Sequence, residues 1–251
     1  MPTYWTVVLW TAAALALMWL LQEQLHRHMQ GLVLLLTGDD RVVAVVHFLL
    51  LLPGIVVHEL SHWLAARLLG VRCGPISLGP QRKRGQQIRF GSVQIGRTDA
   101  FRESLIGVAP LVIGTALVLA LARWGFGLVP TAELRPALWP ARLLRCLQAS
   151  DAWLWVYLIF AVANAMLPSA SDRRAWRVFG LYLALVLAVA YALIGIPRGS
   201  EAYLAWGARA LAYLAAAFSL TAAIDIGALA VILLGEWLIG LLTGRRVEYR
   251  A

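Results

Sequence analysis

Three residues within one helical turn could do chemistry together: His58, Glu59 and His62, in the run His-Glu-Leu-Ser-His. On a helix, side chains four residues apart leave from the same face about a turn apart, so the two imidazoles can bind one metal ion. Zinc suits this spacing, and the intervening Glu59 is placed to act as general base on a water that the metal has made acidic. The alternative is a pair of buried polar residues bonded to their neighbours. Ionisable groups inside a bilayer are costly and normally kept for function, which favours the metal reading.

A catalytic zinc site commonly has three protein ligands and one open position, so one ligand must come from elsewhere. The best source is the segment that runs from Asn164 to Asp172 after the fourth apolar stretch, and Asp225, a carboxylate within the last apolar stretch, is the substitute. Ser171-Asp172 also reads as a helix N-cap for the stretch that follows. His47 lies three helical turns before His58, roughly 16 Å along the axis, too far to share its metal. An interfacial or internally hydrogen-bonded His accounts for it best, and lining a polar cavity is the alternative. His26 and His28 read as loop residues outside the membrane, and Glu236 beside Trp237 as interfacial anchoring.

The elements that must position these residues are set by composition. The chain is 61% hydrophobic and 14% charged, with a mean hydropathy of +0.75, which places it in the membrane class. Apolar stretches fall near residues 4–21, 42–69, 105–122, 153–167, 178–196 and 202–242. The expected fold is therefore an all-α polytopic membrane protein of about six transmembrane helices. The last stretch is too long for one perpendicular crossing: as one helix it spans roughly 60 Å. It fits a projecting helix, an interfacial helix plus a span, or a hairpin. The first lacks the basic region and cleavage site of a secretory signal and is expected to be retained.

Within the second stretch, Pro53-Gly54 precedes the motif; Pro removes a helical hydrogen bond and kinks the helix, turning the His58/Glu59/His62 face inward. With six crossings and a cytoplasmic start, the segments 67–102, 173–177 and 245–250 all face the cytoplasm and hold 14 of the 22 Lys and Arg residues. That bias follows the positive-inside rule. The net charge of +9 is thus mostly a topology signal with some attraction to anionic lipid, and without a basic soluble module no nucleic-acid partner is expected. Between the second and third stretches, Ile76–Gly79 and Ile88–Ile95 are strand-like, giving a small cytoplasmic β-like loop or, equally, a solvated basic loop. Cys73 and Cys146 fall on opposite sides of the membrane and are not expected to pair.

His58-Glu59-x-x-His62 in an apolar helix, followed far downstream by Asn164, Pro168 and Asp172, resembles the site-2 protease family of intramembrane zinc metallopeptidases. That family carries Asn-x-x-Pro-x-x-x-x-Asp-Gly, whose Asp is the third zinc ligand. The Asn-to-Asp interval is kept here; Pro168 stands one residue later than the pattern and Arg173 replaces the Gly. The resemblance covers residues 42–172 and implies a single metallopeptidase domain over 1–251, with a core at 42–177 and extra helices at 4–21 and 178–242. It implies Zn²⁺ held by His58, His62 and Asp172, Glu59 as base, and Asn164 binding the substrate backbone or the oxyanion, with an Asn that satisfies helix-end groups as the alternative. It also implies an extended substrate held by the β-like loop, which pairs by its edge. Gly107-Val108-Ala109-Pro110 with Gly114 is similar to a Gly/Pro segment of the family, and close helix packing suffices to explain it.

The expected function is hydrolysis of a peptide bond in or beside a transmembrane segment of a membrane protein or peptide substrate. The expected location is a bacterial plasma membrane, multi-pass, with the site near the cytoplasmic side. The alternative is a catalytically inactive, site-2-protease-like membrane scaffold or binding protein, which the altered segment around Pro168 and Arg173 favours. A transporter ranks last, because the stretches offer few ionisable groups to line a path.

Overall fold

A computed structural model of the chain describes residues 4–82, 88–127, 151–167, 172, 180–182, 184–185, 188–189, 200–245 and 247. Its elements run α1 (Tyr4–Thr37), α2 (Asp40–Leu68), β1 (Cys73–Arg82), β2 (Ile88–Ile95), α3 (Ala100–Phe126), α4 (Ala152–Ala165) and α5 (Ser200–Thr243). Helices α1, α2, α3 and α5 are each long and apolar enough to cross a membrane. Their outward faces carry Trp5, Leu9, Leu20, Trp124, Val231 and Leu242, all well exposed, as a lipid-facing surface requires. The protein is membrane-embedded and mostly helical, with one small sheet.

Helix α4 sits at the centre. Its sequence is apolar all round, and every residue from Ile159 to Asn164 is buried, the pattern of a helix packed on several sides. Ile159, Val162, Ala163 and Met166 join Met18 of α1, Val118 and Leu121 of α3 and Phe218 of α5 in one core; Phe160 joins Leu25 and Met29 of α1 and Leu51 and Ile55 of α2 in a second. The described part of α4 is apolar and 14 residues, about 21 Å, long, and the residues on either side of it, 128–150 and 168–171, lie outside the described ones. The predicted span at 178–196 lies largely outside the described residues.

Two boundaries differ from the sequence reading. Helix α1 continues to Thr37, so His26 and His28 are helical and not in a loop. The polar run 22–30 breaks nothing because it is amphipathic: Gln22, Leu25 and Met29 are buried at helical spacing while Glu23, Gln24 and Gln30 face out. Along this length α1 packs on α5, with Trp10 Nε1 donating to Ser219 and His28 Nδ1 lying 2.9 Å from Glu236 Oε2. Glu236 is thus an ion-pair partner and more than an anchor. The 202–242 stretch forms part of a single helix of 44 residues, roughly 66 Å long.

The strand-like runs form an antiparallel hairpin, with Ile76 opposite Val93, Ser77 opposite Ser92 and Gln81 opposite Arg89. The hairpin packs on α2 through both strands. Asp99 caps α3: its carboxylate accepts from the Arg102 amide, which holds it below the ordinary carboxylate range.

Candidate metal centre

Two close approaches bring the site together. Gly54, one turn before His58, lies against the Ala161 carbonyl and Ala165 of α4, where a Cβ has no room. Gly114 of α3 does the same toward Met166, whose Cβ would lie 2.6 Å from an added one. Small residues at both points let α2 and α3 close on the end of α4. The sequence reading of Gly114 as a packing residue therefore holds.

The end of α4 and a defect in α3 then orient the two imidazoles. His58 Nδ1 lies 2.6 Å from the carbonyl of Ala165, the last residue of α4, which is one of the carbonyls a helix end leaves free. His62 Nδ1 lies 2.8 Å from the carbonyl of Ile106. That carbonyl is free for a different reason: the amide that would bond it belongs to Pro110, which has no N–H. Carbonyls only accept, so both rings carry a proton on Nδ1, and in the neutral ring that leaves the Nε2 lone pair turned inward.

The two Nε2 atoms lie 3.1 Å apart. Asp172 completes a triangle, with Oδ1 3.5 Å from His62 Nε2 and Oδ2 3.8 Å from His58 Nε2. These are the separations of donors around a common tetrahedral ion, about 3.3 Å for bonds of about 2.0–2.1 Å. With Nδ1–H committed on both rings, two lone pairs meet beside a carboxylate, and the arrangement calls for a positive charge at its centre. The residues therefore fit a divalent metal ion. Among the described residues this is the one such group of His, Cys, Asp and Glu side chains. Asp225 is not part of it. The N-cap reading of Asp172 falls on a helix start outside the described residues.

A cavity of about 770 Å³ opens from this triangle. His58, Glu59, His62 and Asp172 line one part of it, Asn164 and Ala165 the end of α4, and Gly91–Arg97 the hairpin side. Glu59 is buried, and β2 touches it at Gly91, where an added Cβ would stand 2.8 Å from Glu59 Oε1. Gly91 also has φ +79°, the left-handed region that favours glycine. His26 and His47 line the far part of the same cavity, their rings in edge-to-face contact at 5.1 Å. His47 thus lines the cavity, the reading the sequence favoured less.

Sequence reasoning missed four of these contacts. Gly91 inside a strand pattern was a signal for close backbone approach, and Pro110 within a helix was a signal for a free carbonyl. His26, Asn164 and Asp225 were named, but the contact of His26 with His47 and the 2.8 Å donation from Asn164 Nδ2 to Asp225 Oδ1 depend on helices far apart in the chain and left no local trace.

Compared with family models, with characterised proteins and with solved structures, the chain matches none.

Proposed function

We propose that the chain is an intramembrane zinc metallopeptidase of the site-2 protease kind, cleaving a peptide bond in or near a transmembrane segment of its substrate. The observation that carries this reading is the convergence of two inward Nε2 lone pairs and the Asp172 carboxylate, with a buried Glu59 beside them in one cavity. Zinc, held by His58, His62 and Asp172, supplies acidity to a water and polarisation to a carbonyl. The chain's own residues do the rest. Glu59 takes the proton from the attacking water as the new C–O bond forms, and returns it to the leaving amine as the C–N bond breaks. The hairpin supports the substrate: β2 pairs with β1 on one side, and Gly91–Ile95 face the cavity, so an extended segment can add along β2 by backbone hydrogen bonds.

The same reading makes the protein multi-pass in a bacterial plasma membrane, with the basic hairpin and the site toward the cytoplasm. The test combines zinc analysis with turnover of a transmembrane peptide in wild type and Glu59→Gln. One zinc per chain in both, with turnover lower by roughly 10²–10⁴ in the variant, supports the proposal. Zinc without hydrolysis in the wild type, or no stoichiometric zinc, supports the inactive scaffold instead.

A further inference from the structure

The cavity does not stop at the metal triangle. His47, Leu51, Ile55, Glu59 and His62 of α2 all line it, each three or four residues from the next, so it follows one face of that helix. The hairpin meets this face at Glu59, through Gly91. From His58 the face runs on in the other direction, roughly 16 Å along the axis, to His47. Leu51 and Ile55, both apolar and buried, wall that stretch, and the edge-to-face rings of His47 and His26 of α1 close it. The hydrogen bonds behind His26 decide what its ring offers. Asn164 Nδ2 donates to the Phe160 carbonyl at 3.0 Å and to Asp225 Oδ1 at 2.8 Å, so the carboxamide turns its oxygen to His26. That oxygen only accepts. The His26 nitrogen facing it therefore carries the proton, and in the neutral ring the other nitrogen is an acceptor. The described residues lining this end include no carboxylate, so nothing there balances an ammonium or a guanidinium. A wholly apolar side chain suits it no better, because it would expel water from the imidazoles without replacing the lost hydrogen bonds. What fits is a long apolar body that ends in a hydroxyl, which is the shape of tyrosine.

We propose that the end of the cavity closed by His26 and His47 is a side-chain subsite for a tyrosine of the substrate, whose ring lies against Leu51 and Ile55 and whose hydroxyl donates to His26. This rests on the peptidase reading and deepens it. The two flanks of the cleaved bond are then read differently: the hairpin pairs with backbone on one, and α1 and α2 select a side chain on the other. The tyrosine side chain covers part of the distance from the metal, and extended residues at about 3.3 Å each cover the rest, so it stands within about three positions of the cleaved bond.

The experiment compares peptides that carry tyrosine, phenylalanine or alanine at one position at a time on either side of the cleaved bond. With zinc-loaded wild type, kcat/KM for tyrosine is expected to exceed that for phenylalanine by about tenfold or more at one position, since the analogue leaves a buried hydrogen bond unmade. His26→Phe keeps a ring of similar shape and removes the acceptor, so the tyrosine-to-phenylalanine ratio should fall to about one at that position while zinc content holds. Leu51→Phe is the second variant should His26→Phe not fold. It narrows the passage and leaves both imidazoles in place, and it should lower tyrosine and phenylalanine alike relative to alanine at the same position. No tyrosine preference in the wild type overturns the proposal, as does a preference that persists in His26→Phe or ratios that Leu51→Phe leaves unchanged. A fall in kcat common to all peptides in His26→Phe also overturns it, because that marks a structural role or a store of water for hydrolysis. So does a second zinc ion in the wild type that His26→Phe removes. Should the wild type hydrolyse no peptide, the peptidase reading fails by itself. The tyrosine and phenylalanine peptides are then compared by equilibrium binding to the full chain, where equal affinities overturn the subsite.

Discussion

One cavity holds two pairs of histidines that were built in opposite ways. His58 and His62 come from a single helix, one turn apart, with ring centroids 4.7 Å apart and planes at 84°. His26 and His47 come from two helices, with centroids 5.1 Å apart and planes at 60°. The rings meet at nearly the same separation, and among the described residues the first pair is the one seen with a carboxylate beside it and a backbone carbonyl on each Nδ1. The difference argues that edge-to-face imidazoles are not by themselves enough to fit a metal ion. What makes one is the commitment of the outer nitrogens, which turns two lone pairs to one point, and a third donor that arrives there.

The largest effect expected from this contrast is on Asp172. Asp172→Ala removes the donor that separates the two pairs, and zinc affinity should fall by more than the ~10–100-fold typical of losing an outer partner. Competition titration with a chromophoric chelator reads it. Unchanged affinity would place the third ligand elsewhere and leave the first pair no more complete than the second. Next comes Pro110→Ala. Restoring an N–H at position 110 gives the Ile106 carbonyl a helical partner that competes with His62, so zinc affinity should fall roughly tenfold, within the outer-partner range. Thermal stability of the metal-free protein should hold or rise, because Pro is the least favourable residue in a helix interior. A variant that loses stability and keeps its zinc would show that Pro110 serves packing alone.

A smaller effect is expected from Gly91→Ala. The added methyl strains the backbone at φ +79° and meets the Glu59 side chain from Cγ to Oε1, so the hairpin gives locally and the Glu59 carboxylate moves. Turnover should drop by about tenfold while zinc content stays at one per chain, the signature of a displaced base with an intact metal site. Loss of zinc together with turnover would mean that the hairpin holds the ligands too.

How much of this was legible in the sequence follows the same divide. His58, Glu59 and His62 were legible because a helix converts four positions of spacing into one face. Asp172 was legible only through the resemblance, since nothing local says that residue 172 returns to residue 58. The hairpin showed in its alternation and bounding glycines. The extent of α1 did not, because a polar run on an apolar helix reads as an exit from the membrane, and only packing against α5 shows that it is a stripe. Asn164 and Asp225 were each singled out, but the hydrogen bond between them joins helices sixty-one residues apart and left no local trace.

The smallest expected effect is the most direct test of the contrast. His47→Phe keeps an aromatic ring of similar shape against His26 and removes both nitrogens, so the edge-to-face packing survives while any metal-binding capacity of the second pair is lost. If the commitment of the outer nitrogens is what matters, wild type and variant both hold one zinc per chain, with affinities within about twofold, a difference too small for a ligand or an outer partner. A wild type that holds two zinc ions and a variant that holds one would make the His26–His47 pair a second metal site. The rule drawn from the first pair would then be wrong: geometry between rings, without a neighbouring carboxylate, would suffice in a cavity as enclosed as this one.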